Sequence, residues 1–245
     1  MKYKLIFTII LLFLSIISVP HVSAETSIFQ RDVVDIKDLE NNPRIYDSTT
    51  AYRKISVIAD INELERYSAS IGSDEYFLLL DVTYLDILEG FSKGDRVMVT
   101  GSFKHVPLGK DIFNQEYVMH YPKRELGEVA ISDVKNNPAA YNGKFIKVVG
   151  NLTNIRDSSG KTIMYIEDVE TEKSIKVLFY GVTTLEKGMK VQAEGLLNGD
   201  SLHSENVGQY RDSLPFNVLT GFEYVTTFLA VILMTLFLAL KKKRK

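Results

Sequence analysis

The chain is written twice, and that limits its fold more than any other feature. "ENNPRIY" ends at Tyr46 and "KNNPAAY" ends at Tyr141, so Pro43 and Pro138 stand 95 positions apart, as do the two tyrosines. Further on, "FSKGDRVMVTG" (Phe91 to Gly101) faces "LEKGMKVQAEG" (Leu185 to Gly195) at an offset of 94. An offset that drifts by one over some fifty residues marks two copies of one unit. Each copy has the length of a small domain and must bury its own core, because two copies are too few to stack as a solenoid.

The second copy is the more legible. "VAISDVKNNPAAY" reads as a short helix stopped before Pro138, since a residue preceding proline disfavours helical geometry. "KFIKVVGNLTNI" alternates apolar and polar residues and is rich in β-formers, the signature of a half-buried strand. "RDSSGK" predicts a hairpin turn, "TIMYIEDV" a second strand, "ETEK" a turn and "SIKVLFYG" a third strand. "TTLEKG" predicts one helical turn capped by Gly188, "KVQAEGLL" a fourth strand, "NGD" a tight turn and "SLHSENVGQY" a fifth strand. Five strands with a short helix between the third and fourth is the order of an OB-fold, a small Greek-key barrel. In the first copy "RKISVIADI", "EYFLLLDV", "DRVMVTGSFKHV" and "DIFNQEYVMHY" read as strands, while "TYLDILEGFSKG" suits either a third strand or a longer helix. The repeated Asn-Asn-Pro phrase is then the lead-in to each barrel: helical turn, proline stop, aromatic plug, first strand.

The two ends differ from the barrels. A basic start, the apolar run "LIFTIILLFLSIISV" and small residues in "VSAETS" predict a signal peptide cleaved after Ala24. From Val218 to Leu240 only Glu223 is charged, and Lys241 to Lys245 are all basic. That pattern predicts a membrane-spanning helix with its positive flank in the cytoplasm. Cysteine is absent, which excludes disulfides and thiolate chemistry. An exported chain without disulfides points to a prokaryotic cell envelope. Residues 25–217 carry 22 Lys plus Arg against 30 Asp plus Glu, a balance of −8 that opposes binding of phosphate backbones.

The stretch "IKVLFYG…LEKGMKVQAEGLLNGDSLHSENV" resembles the barrel of the cytochrome c maturation haem chaperones, membrane-anchored OB-fold proteins, over about Lys144 to Tyr210. The resemblance implies a haem-linking His after the last strand and a Tyr shortly beyond it. Here "NVGQYRDSLP" supplies Tyr210 without the His; His203 falls earlier, within the strand, and in the first copy His120 ends the corresponding strand. More broadly, the chain resembles the nucleic-acid-binding OB-fold superfamily, which implies the fold; a strand-binding face needs stacking rings, for which the candidates are Tyr76 and Phe77 in one copy and Tyr165, Phe179 and Tyr180 in the other. Such rings are equally the usual material of a core. No G-x-S-x-G, H-E-x-x-H or P-loop is present, and the four histidines are scattered.

The expectation is therefore an all-β protein of two tandem five-stranded OB-fold-like barrels plus a C-terminal transmembrane helix. Its parts are a signal peptide 1–24, barrels 25–123 and 124–217, a span 218–240 and a basic cytoplasmic tail 241–245. It should act as a non-catalytic, membrane-anchored, extracytoplasmic binding or assembly protein, with an envelope protein or a small ligand as partner and no cofactor or metal. The alternatives are a haem or small-ligand carrier and a single-stranded nucleic-acid or oligosaccharide-binding module.

Overall fold

The computed structural model describes residues 28–51 and 53–211. The signal peptide, the transmembrane helix and the basic tail expected from the sequence lie outside the described residues. Among the described residues no helix is long and apolar enough to cross a membrane.

The apolar alternation seen in the sequence becomes the inner wall of two barrels. In the first, β1 (Ile55–Glu65), β2 (Ser68–Gly72), β3 (Phe77–Leu80), β4 (Arg96–Lys104) and β5 (Ile112–His120) close in the order β1-β2-β3-β5-β4. β3 and β5 run parallel, and β4 closes the ring antiparallel to β1. Ile55, Val57, Ala59 and Ile61 point inward from alternate positions of β1, where they meet Ile71, Leu78, Val97, Val99 and Phe113. The second barrel repeats the plan. β7 (Phe145–Ser158), β8 (Lys161–Glu167), β9 (Ser174–Phe179), β11 (Ser201–Gln209) and β10 (Lys190–Asn198) follow one another around the ring, and β10 pairs back onto β7. β9 and β11 are the parallel pair. Both rings have the strand order of an OB-fold, each around its own core.

The repeated words have matching structural roles. In each copy a six-residue helix (Ile36–Asn41, Ile131–Asn136) ends where the second Asn donates its backbone N–H to an Asp carbonyl, Asp38 or Asp133, at 3.0 Å. The following Pro then starts a new turn, and Tyr46 or Tyr141 packs against its barrel core. The glycines that end the two matched strand phrases are fixed by contact. A Cβ at Gly101 would sit 2.1 Å from the Asn114 carbonyl oxygen, and one at Gly195 would sit 1.9 Å from that of His203. The fifth strand crosses the fourth too closely there for any side chain.

Two sequence expectations are corrected, and the choice left open for "TYLDILEGFSKG" is decided. "EYFLLLDV" holds the third strand, not the second; the second is "SASIG", whose small polar residues hide its periodicity. "TYLDILEG" is a 3₁₀ helix, Val82–Leu88, started by Asp81 accepting from the Thr83 N–H at 2.9 Å. "TTLEKG" forms no helix, only a turn at Lys187–Gly188. The structure also adds β6 (Glu125–Glu128), parallel to β7 and exposed along its length.

Both barrels belong to a single compact unit whose last residue is Gly208. A third apolar cluster lies between them: Phe29, Met98, Tyr117, Met119, Phe145 and Leu196. Phe29 is fully buried, with its ring edge-on to Tyr117 and Phe145 at 5.1 and 5.4 Å. Two asparagines fasten this seam. The Asn198 amide accepts from the Val118 N–H at 3.0 Å and donates to the Val118 carbonyl at 2.7 Å, standing in for a neighbouring strand. Asn142 Nδ2 donates to the Ile87 and Glu89 carbonyls of the first barrel, while its Oδ1 accepts from the Gly199 N–H of the second.

Candidate functional site

An OB barrel offers ligands the outer face of its second and third strands, bordered by the loop between its fourth and fifth. In the second barrel those strands are β8 and β9. Inward residues Met164, Ile166, Ile175 and Val177 are fully buried, so the alternation sends Tyr165 and Lys176 outward, directly opposite each other. Residues so paired have Cβ atoms about 5 Å apart, close enough to share a ligand. Lys135 reaches in from the lead-in helix, Lys173 and Ser174 from the start of β9, and Asp200 from the β10–β11 turn. Together they line an open depression of about 490 Å³. Lys173 Nζ is held by the Asn136 side-chain oxygen, and Asp200 Oδ1 accepts from Ser201 Oγ at 2.5 Å. Three ammonium groups and one carboxylate surround a half-buried tyrosine ring. The balance of −8 read from the sequence does not reveal this local cationic group.

The equivalent face of the first barrel has another chemistry. Phe77, 40% exposed, and Leu79 line a cavity of about 290 Å³ with Phe103, Val106 and Pro107. Its border mixes charges, with Lys110 beside Glu40 and Asp111; Glu40 Oε1 accepts from the Phe77 N–H at 3.2 Å. Asp111 Oδ1 pairs with His105 Nδ1 at 2.9 Å and accepts from the Val106 N–H at 2.7 Å, which holds the β4–β5 loop closed. Tyr76 lies elsewhere, beneath Lys37 Nζ at 5.6 Å, beside a groove of about 730 Å³ that includes Asp60 and Arg96.

The other candidates go into the seam or the core. Phe179 packs on the second barrel's interior. Tyr117 donates to the Tyr180 hydroxyl at 2.8 Å, and that hydroxyl hydrogen-bonds His203 Nδ1 at 2.9 Å, as the donor when the imidazole carries its proton on Nε2. The Tyr180 and His203 rings stack, and Tyr117 meets His203 edge-on at 5.1 Å. Burial pushes the His203 imidazole down to about 4 and raises both tyrosine phenols. His120 is 5% exposed, lies against the Phe91 ring at 4.6 Å and leaves Nδ1 buried without a partner. Burial lowers its pKa as well. Both imidazoles are thus packed against other rings, His203 against Tyr117 and Tyr180 and His120 against Phe91. Tyr210 follows β11, half-buried, outside the unit that carries the barrels. Among the described residues no cluster of three or more His, Asp or Glu could hold a metal ion.

Of the eight candidates Tyr180 and His203 meet in the seam, while Tyr76, Phe77 and Tyr165 line three different depressions. Sequence reasoning missed Lys135, Lys173 and Lys176 around Tyr165, and Tyr117 in the seam. Lys135 lies 38 positions before Lys173, so no local pattern marks the group.

No family model matches the chain, and no curated protein does. Among solved structures, telomere capping protein Ten1 from Saccharomyces pombe is 11% identical, over 38% of this chain and 83% of that one, with a TM-score of 0.30. Asparaginyl-tRNA synthetase from Pyrococcus horikoshii is 20% identical over 36% of this chain and 24% of its own, with a TM-score of 0.29. A deletion mutant of the single-stranded DNA binding protein from Thermus aquaticus is 11% identical over 67% and 97%, with a TM-score of 0.27. Likenesses this slight say nothing of function; the strand order alone carries the fold.

Proposed function

We propose that this chain is a non-catalytic binding module that takes an anionic ligand on the outer face of β8 and β9, presented outside the cell from a membrane anchor. The observation that carries the reading is Tyr165 set among Lys135, Lys173 and Lys176 on the face an OB barrel offers to ligands. An aromatic ring supplies a flat apolar contact, and ammonium groups on flexible stems supply adaptable point charges. The export and anchoring half of the reading rests on the two apolar ends of the sequence.

The test is binding of full-length protein to fluorescent anionic oligomers of different backbones: oligonucleotide, acidic oligosaccharide and polyglutamate. Saturable binding that falls about tenfold in Tyr165→Ala, a loss of ~1.4 kcal/mol, supports the module. Binding to none of them, or binding indifferent to Tyr165→Ala, refutes it. A protein partner is a second reading, favoured by the apolar face around Phe77 and the fully exposed Leu108. Phe77→Asp should then abolish a cross-linked partner that Tyr165→Ala leaves in place.

A further inference from the structure

Resting on that reading, we infer that the ligand of the Tyr165 face is an acidic sugar: a ring bearing hydroxyls and one carboxylate, within a polysaccharide. Four features separate this from a nucleic-acid strand. The first is the number of rings. Tracking a strand needs successive stacking platforms, yet of the three aromatic candidates in this barrel only Tyr165 lines the depression. Phe179 is turned to the core, and Tyr180 is committed to Tyr117 and His203 in the seam. One ring suits one pyranose face.

The second is the carboxylate within the cationic group. Asp200 is exposed at the border and oriented by Ser201 Oγ. An ionised carboxylate only accepts hydrogen bonds. It therefore accepts from sugar hydroxyls, which a run of phosphates does not offer. The third is Ser174, whose hydroxyl can donate and accept beside Lys173 and suits the same hydroxyl-rich partner. The fourth is the field of the whole. The second barrel, residues 124–217, holds 11 basic against 13 acidic residues, and the first, residues 25–123, holds 11 against 17. A long polyphosphate leaving the depression in either direction meets net negative charge along its whole length, whereas a short acidic segment bounded by neutral sugars does not.

The experiment titrates fluorescent tetragalacturonate, a neutral oligosaccharide and an oligothymidylate against full-length protein, its Lys176→Gln variant and its Asp200→Asn variant. The expected result is preference for tetragalacturonate over both other probes, with affinity falling about tenfold in each variant. The Asp200→Asn arm is decisive, because removing a negative charge strengthens binding of any ligand held by charge alone and weakens one whose hydroxyls bond that carboxylate. Tighter tetragalacturonate binding in Asp200→Asn overturns the sugar assignment. Preference for oligothymidylate, lost with Tyr165→Ala, also overturns it while leaving the binding face standing. Failure of every anionic probe removes both.

Discussion

Lowering the pH should weaken the fold through His203, and the amount follows from its surroundings. Its Nδ1 is hydrogen-bonded to the Tyr180 hydroxyl at 2.9 Å, which suits a neutral ring protonated on Nε2, and the ring lies between two tyrosines. Burial first, then the positive charges of Lys161 and Lys176, hold its pKa down to about 4 from 6.5, partly offset by Glu116 and Asp200. A group whose folded pKa is depressed binds fewer protons folded than unfolded. Stability is therefore complete above about pH 6.5 and falls as pH drops towards 4, reaching a loss of ~2.5 kcal/mol by about pH 4.5. Protonation would also take away the acceptor that orders Tyr180 and hence Tyr117. The assay is urea unfolding of the full-length protein at about pH 7.5, 6.5, 5.5 and 4.5, beside His203→Gln, whose amide oxygen can accept from Tyr180 without titrating. Wild type should lose ~2 kcal/mol or more relative to the variant across that range. His120 shifts in the same direction in both proteins and cancels in the comparison. Asp47 and Asp81, held down by Thr49 and Thr83, lose their contributions only as pH falls below the ordinary carboxylate range, which separates them from the histidine window. Parallel pH profiles for wild type and variant would refute the assignment of a buried neutral imidazole to the seam.

Asn198→Ala leaves the buried N–H and carbonyl of Val118 unpaired and should cost about 2–4 kcal/mol in urea unfolding; a loss under about 0.5 kcal/mol would mean the apolar seam holds without that amide. Gly143 and Gly127 share a left-handed backbone, with φ of +68° and +70°, but a Cβ at Gly143 would sit 2.1 Å from the Phe91 ring while one at Gly127 meets nothing. Both alanine variants should lose about 1 kcal/mol to backbone strain, and Gly143→Ala a further 1–3 kcal/mol to the clash; equal melting temperatures would show that Phe91 moves aside freely. The anchor reading predicts that detergent, not high salt, releases the protein from membranes and that external protease digests its barrels; release by salt would refute it.

The repeat, the β-alternation and the Asn-Asn-Pro lead-ins determined the architecture because each is a local pattern tied to a local geometry. "KFIKVVGNL" buries one face as a strand, and each proline stops the helix that precedes it. Where local pattern is weak, the reading failed: "SASIG" gains its strand from neighbours β1 and β3, and "TTLEKG" packs Leu185 on its barrel core without forming a helix. Tertiary structure alone decided what the side chains do. Tyr165 and Tyr180 look alike in the sequence, yet strand alternation and the arrival of Tyr117 send one to an open face and the other into a buried seam. Lys135, Lys173 and Lys176 become a cationic group only because the lead-in helix packs beside the start of β9. Net charge could not reveal them, since it sums over a surface that the fold divides. A strand's alternation is written in adjacent residues; a site is assembled from residues far apart, whose meeting is set by how the barrels close and dock.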